Sequence, residues 1–503
     1  MDNITTGKST DRRNFWGLRG KIHYDDSDRW DVVLTGGHTD SDNDGFVTTS
    51  YDATAERPIP TGDDRTTATP LDTDGRTKTD FASAHVTIAN DGFTVRSITG
   101  WSKMKDGWRV DLTGGIATPS GAYTTGYLRE SAMKRHQWSQ ESQIFGDALG
   151  DATWIAGVYL FHEETSQSFD DAFYLRAINL TIPVPTITYT IGTYSYAGYA
   201  QGTYKLTPKL EAVIGGRYTL EDKKITGTVN PTTPFGDHQS YNAFTPKFGL
   251  NYQATPNIFL YGTVSRGFKA GSYSGGSTTV EVAEAGYRPE KVWAYEIGAK
   301  TELFDRHVKL NLAGFINDFT DVVSGRFIEG TGIVVLYNGQ SYRTSGLEAE
   351  LTIRPVDGLS LYANGGWQRV SNAKFVAGSQ DTKPASQPKY SGTTGFRYEF
   401  PIVGDYSLRF GADYTFRDGF FGSSAQTPVT YYSKINELGA EVTLMTHGGW
   451  QLSATGHNLT NTTEWKNSLD LVSFLGVGSR ALPLRHGRVT CGHYAVEQSV
   501  VPG

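Results

Sequence analysis

From Lys291 to Leu303 the side chains alternate. Trp293, Tyr295, Ile297, Ala299 and Leu303 fall on one face, and Ala294, Glu296, Gly298, Lys300 and Glu302 on the other. Successive side chains of a strand point to opposite faces, so period two with one apolar and one polar side is a strand between two different solvents. A helix would scatter the same residues around its cylinder. Gly346–Arg354 repeats the pattern, with Leu347, Ala349, Leu351 and Ile353 against Glu348, Glu350, Thr352 and Arg354. Leu210–Tyr218 follows it more loosely, with Ala212, Ile214 and Tyr218 opposing Glu211 and Arg217. Nineteen such segments run through the chain, among them 14–25, 134–146, 153–168, 210–223, 242–253 and 487–496.

Their connections alternate in length. Turns such as Asp26–Arg29, Asn90–Gly92 and Pro355–Gly358 are short; Asp40–Asp80, Lys224–Tyr241, Gly271–Glu290 and Asp321–Gly339 are long. Short-long alternation is the mark of an up-and-down antiparallel transmembrane β-barrel, with short turns on one side of the membrane and long loops on the other. A soluble propeller would repeat a motif every 40–50 residues or so, and no such repeat is present. Composition agrees: 58 glycines, 63 Phe, Trp and Tyr residues, one cysteine (Cys491) and a net charge of −7. No apolar run approaches the roughly 18 residues of a membrane-spanning helix. A lone cysteine leaves no disulfide framework or multi-cysteine metal site, and the acidic balance argues against nucleic acid as a partner. The chain reads as one all-β domain over residues 1–503, with 1–13 and 481–503 irregular and Asp40–Asp80 a solvated acidic loop.

Few motifs carry chemistry. Thr6-Gly7-Lys8-Ser9 lacks the upstream glycine and the strand of a phosphate loop, and Gly476–Ala481 lacks the βαβ unit of a dinucleotide site. His162-Glu163-Glu164 lacks a second zinc-binding histidine. Asp40, Asp42 and Asp44, followed by Gly45, match the first half of a calcium loop. Tyr51 stands where the bidentate glutamate belongs, so the alternative is a plain acidic loop. Trp101, Trp108, Tyr123, Tyr127, Arg129, Lys134, Arg135 and His136 set aromatics beside cations in and around one long loop. They could clamp an anionic or aromatic ligand, or simply supply an interfacial girdle and loop charges. No grouping of nucleophile, base and orienting residue emerges, so no enzymatic activity is expected.

Four runs occur in a recognisable order: Ser265–Gly271 (SRGFKAG), Pro289–Glu296 (PEKVWAYE), Gly346–Leu351 (GLEAEL) and Gly456–Asn461 (GHNLTN). From about Asp11 to Leu475 the chain resembles the barrel of TonB-dependent outer-membrane receptors of the siderophore type. The resemblance implies a barrel of twenty-two strands, of which this chain supplies about nineteen, and an N-terminal plug with a TonB-engaging segment. Plug, TonB-engaging segment and signal peptide are not found here, so a truncated or frameshifted frame is expected. It further implies residence among outer-membrane lipids, a scarce ligand such as a ferric siderophore, uptake driven by the TonB complex, and no cofactor beyond the calcium raised above. The alternatives are a passive porin and a non-functional truncated product.

Overall fold

A computed structural model describes residues 2–10, 12–26, 28–45, 47–52, 57–59, 66–114, 125–148, 150–175, 178–230, 232–276, 279–328, 333–377, 379, 381–446, 450–462, 468–469, 478–481 and 488–495. Nineteen antiparallel strands, from Arg13–Asp25 to Arg488–Ala495, form one sheet that curls into a barrel. Each pairs with its neighbour in sequence: Arg13–Asp25 with Trp30–Asn43, Phe93–Asp111 with Thr125–Ala148, and Trp450–His457 with Arg488–Ala495. The short strand Leu180–Pro183 adds to the end of Ala152–Leu175. Among the described registers none joins the first strand to the last, and Arg13–Asp25 is exposed at every residue.

The two faces of the wall sort as the alternation requires. Outward side chains of the middle strands form cross-strand rows such as Leu250, Gly262, Ile297, Gly314 and Leu347. Ile297 and Leu347 are 71% and 61% exposed, as side chains facing lipid would be. Trp293 and Tyr295 share that face, while Glu296 points into the bore, where the Tyr261 hydroxyl donates to its carboxylate at 2.6 Å.

The abundance of glycine and aromatics has a packing cause. Gly157 lies opposite Tyr199, and a Cβ there would sit 2.6 Å from the phenol ring. Gly298 stands in the same relation to Tyr261, at 2.5 Å. Each phenol covers backbone of the neighbouring strand that glycine leaves open. At the short Asn90–Phe93 turn, Gly92 adopts φ of 83°, a left-handed conformation that glycine enters without steric cost.

Strand bounds depart from the periodicity in one direction. Segments 134–146, 153–168 and 242–253 become Thr125–Ala148, Ala152–Leu175 and Thr233–Thr255. Much of the expected loop Lys224–Tyr241 is therefore hairpin, as is Asp321–Gly339. The reason is visible on Leu210–Val229. Outward Ile214, Tyr218 and Leu220 give way to Asp222, Lys224, Thr226 and Thr228, while buried Ile225 and Val229 face inward. Past the membrane the outer face meets water and the apolar side changes over, yet the hydrogen-bond ladder continues.

Other long connections also have structure. Part of Asp40–Asp80 packs: Thr48–Asp52 pairs with Arg57–Ile59 and with Gly478–Ala481, and Thr49, Ala68 and Thr69 are buried. Within the N-terminal stretch read as irregular, Asp2–Asn3 pairs in parallel with Thr66–Thr67, and the expected segment 487–496 is the strand Arg488–Ala495, which joins the barrel. Gly271–Glu290 turns into the mouth and carries the one-and-a-half-turn helix Val280–Ala285. Ala283 packs with Ile225, Val229, Phe235 and Tyr273 in a buried apolar cluster. Burying that surface is what holds the loop inward.

Candidate functional site

The mouth of the bore is built where the long hairpins rise above the outward aromatics. On Thr125–Ala148 and Ala152–Leu175, Tyr127, Arg129, Phe169, Asp171 and Phe173 share the inner face. Arg129 donates from Nε to Asp171 Oδ1 at 2.8 Å and from Nη2 to Oδ2 at 2.6 Å. The Tyr127 hydroxyl donates to Oδ2 at 2.7 Å, and the guanidinium lies 4.9 Å from the centre of the Phe169 ring. Asp171 is buried, so each of these charge-assisted bonds is made away from water.

Tyr189, on the next strand, donates to Gln167 Oε1 at 2.9 Å and packs near Phe169. Gly275 and Gly276 of the inturned loop approach Tyr189 and Phe169, where a Cβ would meet the rings at 2.6 and 3.4 Å. Burial pushes the Tyr189 phenol up to about 12 and raises that of Tyr127, which also faces the Asp171 charge. These phenols stay neutral hydrogen-bond donors across the physiological range.

Below the mouth the wall turns wetter. Tyr199 donates to Glu141 at 2.6 Å and accepts from Gln143 at 3.0 Å. Arg217 lies over the rings of Tyr159 and Tyr199, at 5.2 and 5.6 Å. Arg397 with Glu441 and Arg409 with Glu399 line the wall further round. Phenols, guanidinium groups and carboxylates that neutralise one another in pairs suit reversible contact with a polar solute.

The aromatic and cationic residues that could form either a clamp or a girdle are divided by strand alternation. Trp101 and Trp138 are cross-strand partners on the outer face, 43% and 39% exposed, and Lys134 and His136 share that face. Tyr127, Arg129, Trp108 and Arg135 face inward, and Arg135 approaches Glu163 at 4.0 Å. Tyr123 lies outside the described residues. Sequence reasoning missed Asp171, Phe169 and Tyr189. They come from neighbouring strands, and only the register Arg129↔Asp171 joins them to the set.

Asp40 and Asp42 lie on the strand Trp30–Asn43, with Asp44 just beyond it. Arg76 donates from Nη2 to Asp40 at 2.7 Å, and Lys78 lies 3.5 Å from the same carboxylate. Arg12 takes both Asp42 and Asp44, at 3.2 and 3.1 Å. The three carboxylates thus point at protein cations, and among the described residues no three His, Cys, Asp or Glu side chains gather as a metal site would require.

A groove of about 820 Å³ lies on the outer wall, lined by Ile214, Phe248, Leu250, Tyr295, Ile297 and Leu347. It faces lipid and has no part in the bore.

Comparison with known proteins follows the geometry. The chain superposes on the ferric yersiniabactin uptake receptor FyuA from Yersinia pestis with a TM-score of 0.75 at 16% identity, covering 98% of this chain and 72% of that one. The siderophore receptor PiuA from Acinetobacter baumannii gives 0.75 at 13% identity, covering 96% and 74%. The copper transporter OprC gives 0.69 at 13%, covering 98% and 74%. At such identity the likeness is one of fold. In sequence, 118 residues are 36% identical to the metal-pseudopaline receptor CntO of Pseudomonas aeruginosa PAO1, and 30% identical to that of strain UCBPP-PA14. These matches span 23% of this chain and 16% of the relatives. The family model described as TonB dependent receptor-like, beta-barrel matches residues 5–469. Barrels of that kind lie in the bacterial outer membrane. A nineteen-stranded wall, apolar outside and polar within, matched over most of its length, belongs to the TonB-dependent receptor β-barrel family.

Proposed function

We propose that this chain forms the wall and outer mouth of a receptor for TonB-dependent uptake of a ferric siderophore. One observation carries the reading: hairpins that rise past the outward aromatics hold Tyr127, Arg129, Phe169 and Tyr189 on the inner face of the mouth. Aromatic faces and fixed donors are what a bulky, oxygen-rich, anionic chelate needs for reversible capture. The proteins named above include receptors for metal chelates, which supports the same class of cargo. In this reading the barrel does no chemistry. It supplies the wall and the first contacts, and the TonB complex supplies the force for passage.

The test is uptake of radioactive iron presented on a panel of hydroxamate, catecholate and carboxylate siderophores, in cells with and without the gene at its own locus. Uptake of one class that needs both this gene and TonB is the expected result. Uptake unchanged by deletion of the gene overturns the proposal. Uptake that persists without TonB, with liposomes that swell in neutral sugars, would make the protein a passive pore.

A further inference from the structure

We infer that the ligand carries an aliphatic tail, and that the inner face of the hairpin tip above Arg129 binds this tail through Phe173, Leu175, Leu180 and Ile182. The inference rests on the uptake reading above and names a further chemical feature of its ligand. Thr125–Ala148, Ala152–Leu175 and Leu180–Pro183 lie side by side at the mouth. Cross-strand partners share a face, so Tyr127, Phe173 and Ile182 form one inward row, and Leu175 and Leu180 belong to the next row on that face. The row beneath them is the polar pair Arg129 and Asp171. An apolar strip therefore rises directly from the polar contacts of the mouth. The tip is held in shape from elsewhere. Asn179 turns the chain at φ of 50° and accepts from the Tyr174 hydroxyl at 3.0 Å, and the Val184 N–H donates to the Asp171 carbonyl at 2.8 Å.

A neighbouring hairpin shows what such a strip requires. On Leu210–Val229 the apolar side also turns inward above the membrane, and there the loop Gly271–Glu290 covers it: Ile225 and Val229 are buried against Ala283. Leu180 and Ile182 stay 44% and 43% exposed, and Ile178 at the tip is 67% exposed. Exposed apolar surface that continues a polar site suits the apolar part of a ligand whose polar part that site holds. The bilayer does not reach it. Phe173 lies eleven residues beyond His162, the outward partner of Trp138. At about 3.3 Å per residue and a tilt near 45°, that is roughly 25 Å above the aromatic girdle, past the headgroup layer. The strip also faces the mouth, away from the membrane side of the wall. From Asp171 to Leu175 the strand rises about 13 Å, room for an extended chain of medium length leading up from a head held at Arg129.

The experiment uses the full chain in nanodiscs, with heat-modifiable migration as the check that the barrel is folded. Empty nanodiscs correct for partition of the tail into lipid. The probes are ferric complexes of a trihydroxamate, a triscatecholate and a citrate-type carboxylate, each carrying an acetyl or a dodecanoyl group on a side amine. Binding is read from radioactive iron retained through gel filtration, and a radiolabelled dodecanoyl amide without chelating groups is the tail-alone probe. The head that binds should bind about thirtyfold tighter as the dodecanoyl than as the acetyl form, the gain from half-covering about five methylenes. Leu180→Ser with Ile182→Ser should remove most of that gain and leave the acetyl form unchanged, and Leu180→Met with Ile182→Met should keep it. Equal binding of the two forms, or a gain that survives in the double serine variant, overturns the tail strip and leaves the uptake reading standing. Failure of every head in either form overturns both. Tail-alone binding as tight as that of the whole probe, or a self-associated mass in detergent that falls to one copy in the double serine variant, overturns the inference by giving the face to a free lipid or to a second copy.

Discussion

Arg129 and Asp171 face each other across two strands and share two parallel hydrogen bonds, at 2.8 and 2.6 Å, at the mouth of the barrel. Tyr127 donates to the same carboxylate, so one buried anion ties three side chains of the hairpin together. Asp171→Ala strands a partly buried guanidinium and is expected to cost about 3–5 kcal/mol locally. Hydrogen exchange should show residues 125–131 and 169–175 losing protection while the membrane-level wall keeps its own. Uniform protection throughout would show that the pair does not hold the hairpin.

Alkali should loosen the mouth before the wall. Burial raises the phenols of Tyr127, Tyr189 and Tyr273 above their ordinary value of 10.0, Tyr189 to about 12. The unfolded chain then ionises first. Stability from these buried phenols is complete below pH 10 and is lost as pH climbs toward 12. Tyr189→Phe keeps the ring, removes that residue's share of the loss, and should shift loosening to higher pH in an alkaline titration followed by protease nicking. An unshifted curve would sink the assignment.

Gly157→Ala should disturb the bore from behind. Its Cβ would lie 2.6 Å from the Tyr199 ring and 3.0 Å from the Ser142 carbonyl, displacing Tyr199 from Glu141. Overpacking of this kind costs about 1–3 kcal/mol. Adding Tyr199→Ala should recover part of the loss in denaturant unfolding in micelles. Strictly additive effects would mean that ring and glycine do not meet.

Calcium is expected to leave the melting temperature unchanged, with or without chelator. The cations Arg12, Arg76 and Lys78 already occupy the carboxylates of Asp40, Asp42 and Asp44. The hydrogen bond from Arg76 holds the Asp40 carboxyl below its ordinary value of 3.8, so this contribution is present above that pH and is lost as acid protonates the group. A calcium-dependent rise in melting temperature at neutral pH would show that the ion displaces the cations.

The first strand bears on assembly. Among the described residues, Arg13–Asp25 pairs with Trp30–Asn43 alone, and it is exposed at all 13 residues. Unpaired backbone groups in lipid cost several kcal/mol each, so such an edge costs on the order of tens of kcal/mol. This chain, expressed alone behind a signal peptide, is expected to insert poorly. Heat-modifiable, protease-resistant barrel in outer-membrane fractions would refute that.

The alternation of Trp293, Tyr295 and Ile297 with Glu296 and Lys300 by itself determined a strand between lipid and water, because period two is a property of the backbone. Repeated nineteen times with alternating connections, it determined the barrel, and the Ser265–Gly271 and Pro289–Glu296 runs determined the family. It could not show that strands such as Leu210–Val229 continue into the mouth, because the apolar side changes faces where lipid ends and the contrast blurs at the crossing. Nor could it separate Trp101, on the outer face, from Arg129, on the inner, or bring Asp171 to Arg129, 42 positions away in the chain. Those pairings are set by cross-strand register, which depends on how each hairpin closes and which neighbour it meets. That information is spread over the whole wall, and only the folded barrel brings it together.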